Sequence, residues 1–211
     1  MWTLLVCHVL LSSPSAEAIV QNIQRTYQAS GDIHAQFEHV YAEPIRKKKR
    51  IEKGALWVKQ DGRVRWSYTS PHLKDFVFDG KTAYFYEPEH AQVTVFEDFD
   101  KSDIGQISKL LWGQGNLKER FNVEDCNNQC PPSPNTVWAL LLTPKKTTPQ
   151  LKKAILWVNR DAWYVEKTTL FDPLNNTSEY IFNNFKKNEI IENKKFTFKA
   201  PAGVSVLKSA L

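Results

Sequence analysis

The residues of this chain that could carry chemistry are its histidines, one acidic run and one close pair of cysteines. His34, His39, His72 and His90 are scattered, and His34 and His39 lie on a strand-like segment at a spacing of five, which puts them on opposite faces. A nucleophile elbow, a phosphate-binding glycine loop and an H-E-x-x-H zinc motif are all absent from the sequence. Glu97, Asp98, Asp100 and Asp103 could serve as paired carboxylates. They stand just before an expected helix start, however, where the helix dipole favours negative charge. Cys126 and Cys130 sit in the turn-rich stretch CNNQCPPSP without the second Cys or His pair that a zinc site needs. The residues therefore point to no enzyme, no cofactor and no metal.

The first 18 residues have a different character. MWTLLVCHVLL is almost wholly apolar and is followed by SSPS and the triplet Ala16-Glu17-Ala18. This is the pattern of a cleavable secretory signal, with its preceding basic residue missing. The expected division is a signal peptide over 1–18 and one domain over 19–211. Export to an oxidising compartment makes a Cys126–Cys130 disulfide the natural state of the pair. No apolar run reaches the length of a membrane-spanning helix.

Removing 1–18 takes away only Glu17 among the charged residues, so the net charge of +5 becomes +6. The excess is concentrated in Arg46-Lys47-Lys48-Lys49-Arg50, between two strand-like segments. Such a run is a solvated hairpin tip or a contact for a membrane or partner. With no recognition module in sight, nucleic acid is not an expected partner.

The elements that would position any site are mostly strands. Ile19, Val20, Ile23 and Tyr27 make one helical face, with Gly31 placed to end the helix. Ile33, Ala35, Phe37, His39 and Tyr41 then alternate with more polar neighbours. Asp61-Gly62 and Asp79-Gly80 mark two hairpins. About ten strands are expected, the last at FTFKAP, at the spacing of an all-β sandwich or barrel. A second amphipathic helix is expected over 103–112, with Ile104, Ile107, Leu110 and Leu111 as its stripe. Several strands are apolar on both faces, as in Leu56-Trp57-Val58 and Tyr84-Phe85-Tyr86. Either they lie inside a sandwich core, or one face lines an apolar cavity covered by the helices.

Three segments resemble the outer-membrane lipoprotein carrier protein (LolA) family: the opening helix with HAQFEHV, then GALWVKQDGRVRWSYTSP with DGKTAYFYEP, then LLTP with FTFKAPAGVSV. The resemblance covers essentially the whole mature chain. It implies a mainly β fold, an incomplete (half) antiparallel β-barrel whose apolar cavity is closed by a helical lid. It further implies a monomeric periplasmic chaperone without enzymatic activity. Such a carrier takes acylated lipoproteins from an inner-membrane ATP-driven lipoprotein-releasing transporter to an outer-membrane lipoprotein acceptor. A related envelope carrier or sensor of lipid or glycolipid is the alternative.

On that basis the lipid-binding candidates are Leu56 and Val58 on one strand, Val64 and Trp66 after the turn, Phe76 and Phe78, and Tyr84 and Tyr86. Parity across the second hairpin leaves Phe85 as the alternative to the two tyrosines. The lid candidates are Ile19, Val20, Ile23 and Tyr27, with Ile104, Ile107, Leu110 and Leu111. Where the family often carries Arg-Pro, a proposed lid latch, this chain has Gln60-Asp61, so Gln60 occupies the latch position without a charge.

Overall fold

The computed structural model describes residues 13–101, 117–126, 129–132, 134–147 and 149–209. The expected signal core and the Ile104, Ile107, Leu110 and Leu111 stripe lie outside the described residues.

Helix α1 spans Ala16–Ala29. Ser15 caps it by accepting the Ala18 N–H, and Ile19, Val20, Ile23 and Tyr27 form its buried face. The helix thus starts three residues before Ile19, inside the segment expected to be cleaved. At its end Ser30 N–H bonds the Tyr27 carbonyl, and Gly31, at φ +56°, turns the chain into the first strand.

Among the described residues, twelve strands form one sheet. Six come before the middle of the chain: β1 Asp32–Glu43, β2 Lys48–Val58, β3 Val64–Ser70, β4 Lys74–Phe78, β5 Ala83–Glu87 and β6 Gln92–Phe96. After the short helix α2, Leu117–Arg120, come β7 Phe121–Asp125, β8 Val137–Pro144, β9 Lys153–Asn159, β10 Val165–Phe171, β11 Thr177–Glu189 and β12 Ser205–Ser209. The spatial order is β12-β6-β5-β4-β3-β2-β1-β11-β10-β9-β8-β7. Two meanders are therefore joined where β11 returns to pair with β1, Phe37 opposite Phe182. The sheet is open, with β7 and β12 as its edges.

Asp61-Gly62 and Asp79-Gly80 turn the chain where expected, with Gly62 at φ +92° and Gly80 at φ +107°. Pro44 to Lys47 form the β1–β2 turn, so the basic run begins at a hairpin tip. Gly54 answers to a close approach rather than a turn. A Cβ there would lie 2.1 Å from the Ser67 carbonyl and 2.7 Å from the Phe37 ring.

Three expectations need correction. Among the described residues the strands number twelve, not about ten, because the polar FNVED and the terminal SVLKS also pair. The sheet is not wholly antiparallel, since β12 runs parallel to β6. And FTFKAP is not a strand. The chain leaves β11, makes a 3-10 turn at Asn193–Phe196 and crosses the outer face of the sheet to reach β6. Along this strap Lys59 Nζ bonds the Ile191 carbonyl, Arg63 bonds Asn193 and Arg65 bonds the Lys195 carbonyl. Lys195 Nζ stands 3.6 Å over the Trp57 ring, and Phe196 is fully buried. The strands apolar on both faces are thereby explained without a second sheet: α1 covers their inner side and the strap part of their outer side.

Candidate ligand-binding face

The inner face is fixed by register. Leu56 pairs with Trp66, Trp66 with Phe76 and Phe76 with Phe85. The neighbouring row on the same face is Val58, Val64, Phe78 and Ala83. Leu56, Val58, Val64 and Phe78 are buried in one cluster with Ile19, Val20, Ile23 and Tyr27 of α1, while Trp66 and Phe76 pack against it half-buried. Tyr27 also ties the helix down, because its hydroxyl accepts the Val165 N–H at 3.1 Å. Burial drives the pKa of that phenol upward.

Tyr84 and Tyr86 are not on this face. They pair with Val77 and Asp75, on the outer side, and their rings meet Phe198 of the strap at 5.3 and 5.4 Å. Phe85 takes the inner position instead. The cause is the turn over residues 79–82, in which Asp79 accepts the N–H groups of Lys81 and Thr82 and pairs Phe78 with Ala83. Gln60 lies in the turn after β2 and donates its N–H to Asp32, which also holds Lys59 at 2.7 Å.

Several wall residues were not among the candidates. Phe37 meets Trp66 at 4.8 Å and Tyr68 at 4.9 Å, both edge to face. Trp66 in turn meets Tyr180 at 5.2 Å and Phe182 at 5.9 Å, and Phe99 packs between Phe76 and Phe78. The alternation of β1 already marked Phe37. Tyr180 and Phe182 become visible only once β11 is known to pair with β1.

Toward the β1–β2 hairpin the same face turns polar. His39 pairs in register with Glu52, and the Glu52 carboxylate meets Lys74 at 2.7 Å, Arg50 at 3.3 Å and His39 Nδ1 at 3.5 Å. The His39 ring stacks on Tyr180 with centroids 4.2 Å apart. Burial, opposed by Glu52 and aided by Lys74 and Arg50, pulls the His39 pKa down to about 4. For Glu52, burial pushes upward, but Lys74, Arg50 and His39 outweigh it and hold the carboxyl below its ordinary range.

Elsewhere, Cys126 and Cys130 are joined as a disulfide with Cα atoms 5.4 Å apart. An open hollow of about 910 Å³ separates this loop from the start of α1, touching Ser15, Ile19, Trp138 and Arg160. No helix among the described residues is long and apolar enough to cross a membrane.

Against known proteins, residues 28–199 match the family described as outer membrane lipoprotein carrier protein LolA. The chain belongs to the LolA family. An outer-membrane lipoprotein carrier protein of Methylobacillus flagellatus is 24% identical over 188 residues, covering 89% of this chain and 88% of that one. The one of Photorhabdus laumondii is 27% identical over 188 residues, covering 88% and 86%. Among solved structures, an uncharacterized conserved protein from Thermus thermophilus superposes with a TM-score of 0.58 at 10% identity, over 92% of this chain and 99% of that one. That likeness speaks for the fold alone. LolA-family proteins are binding and transport chaperones, not enzymes.

Proposed function

We propose that this LolA-family chain is a monomeric periplasmic carrier that holds the acyl chains of lipoproteins against its inner face. It receives them from an ATP-driven transporter in the inner membrane and passes them to an acceptor at the outer membrane. The open sheet acts as the wall of an incomplete barrel and α1 as its lid. The observation that carries this reading is the seating of α1, whose four apolar residues are 1–5% exposed, on the aromatic face of a sheet that does not close.

The energetics suit reversible carriage. Each buried CH₂ gains about 0.8 kcal/mol, so an anchor with two or three long chains cannot cross water unaided. A lid that packs on the wall when empty must surrender those contacts to the cargo, which keeps affinity moderate and release feasible. The test is competition between a dansyl-labelled alkyl probe and a purified acylated lipoprotein. Saturable probe binding, displaced by the acylated protein and not by its unacylated form, is expected. Absence of a saturable site overturns the reading.

A further inference from the structure

The inner face carries a built polar end that acyl chains alone do not need. Its register runs from Val58 and Leu56 through Gly54 to Glu52 and Arg50, with Tyr68, Lys74, His39 and Tyr41 beside them. Alternate residues of one strand share a face, so Val58 and Arg50 stand on the same side, about 26 Å apart along β2 at ~3.3 Å per residue.

Three observations converge at this end. First, the His39 side chain is nine-tenths buried, and while its Nδ1 stands 3.5 Å from the Glu52 carboxylate, its buried Nε2 has no hydrogen bond among the described residues. A buried ring nitrogen left unsatisfied costs free energy that a ligand group can recover. Second, the local charge does not balance. Lys74 and Arg50 both face the single Glu52 carboxylate, and His39 between them is neutral, which leaves one positive charge over. The next row repeats the excess: Glu43 meets Arg46 at 3.3 Å and stands opposite Lys48. Third, Lys74 is only 17% exposed, its ammonium 4.6 Å from the Tyr68 ring centroid, so it is presented beside the aromatic wall rather than to bulk water.

We propose that this end is a head-group subsite, and that the inner face takes an anionic amphiphile whose alkyl chain lies along Trp66, Phe37 and Leu56 while its phosphate or carboxylate head meets Lys74 and Arg50. Neutral His39, its Nδ1 N–H turned to Glu52, offers Nε2 as an acceptor to the polar neck of the same ligand. The idea rests on the carriage reading for its apolar half and deepens it by naming the charge class of a ligand.

The test is designed so that the two can fail separately. Dansyl-undecanoic acid and its methyl ester differ in one charge, and both are titrated by fluorescence into the full chain at pH 7. The acid is expected to bind about tenfold more tightly, the scale of a charge-assisted contact, with the preference shrinking as salt is raised. In Lys74→Gln and in Arg50→Gln the preference for the acid over the ester should fall toward one. Arg50 is largely exposed, so its variant keeps the test valid should Lys74→Gln misfold. Equal binding of acid and ester by the wild type overturns the head-group subsite and leaves carriage standing. A preference that survives both substitutions overturns it too. Failure of both probes to saturate removes the carriage reading and the subsite with it. Competition by hexadecyl phosphate against hexadecanoate then assigns the head: stronger displacement by either supports the subsite and names phosphate or carboxylate as its source.

Discussion

His39 connects the wall to the behaviour of the protein in acid. In the unfolded chain its imidazole takes a proton near pH 6.5, whereas burial in the fold delays this to about pH 4. Through that window the unfolded state binds more protons, so stability is complete above about pH 6.5 and drains away as the pH falls toward 4. Glu52 acts in the same direction lower down, its folded pKa lying below the ordinary carboxyl value. The expected His39 contribution at pH 5 is about 2 kcal/mol relative to neutral pH. His39→Phe, which keeps a ring against Tyr180, should flatten the decline of the urea midpoint between pH 7 and 5. An unchanged decline would mean that His39 is not the group responsible. Little of this was open to the sequence. The alternation of β1 gives His39 a side of the sheet, but its cost depends on Glu52 across the strand pair and on Tyr180, 141 positions later.

At the level of elements, α1 is held by apolar contact along one face and by polar contacts that include the Tyr27 hydroxyl on the Val165 N–H and the ion pair of Glu17 with Lys118. Tyr27→Phe strands that buried N–H at a cost of about 1–3 kcal/mol. The penalty falls on the seated helix only, because water can satisfy Val165 once α1 has moved aside. Denaturant stability should therefore drop while the alkyl probe binds several-fold more tightly. Weaker stability with unchanged probe affinity would show that α1 does not leave its seat when ligand enters. The helix face, both Asp-Gly turns and the inward rows around Leu56 and Trp66 were legible because each is written in a local period or a local turn. Tyr84 and Tyr86 were not, since the number of residues in one turn decides which side a strand presents. The strap was hidden for another reason. FTF has the composition of a strand, and only the tertiary position of Trp57, Tyr84 and Tyr86 makes Phe196 and Phe198 serve as a cover.

Over the whole molecule, the last strand protects an edge. β6, QVTVF, pairs with β5 on one side and with β12 on the other. Deleting residues 202–211 removes β12 and leaves an apolar strand with unpaired backbone groups, a template for self-association. Concentration-dependent dimers in light scattering are expected, and Val95→Lys in the truncated chain should suppress them. A truncated chain that stays monomeric would place the protection of β6 elsewhere. The seam between β1 and β11 has a different consequence. Phe37 waits for Phe182, 145 positions further along, before the middle of the sheet can form. A nascent chain appearing from its N-terminus holds β1 with one flank bare until almost nine-tenths of the polypeptide exists. Such long-range closure makes folding slow and exposes intermediates to aggregation. This protein should thus depend on a holdase while it is being made, ahead of any cargo of its own.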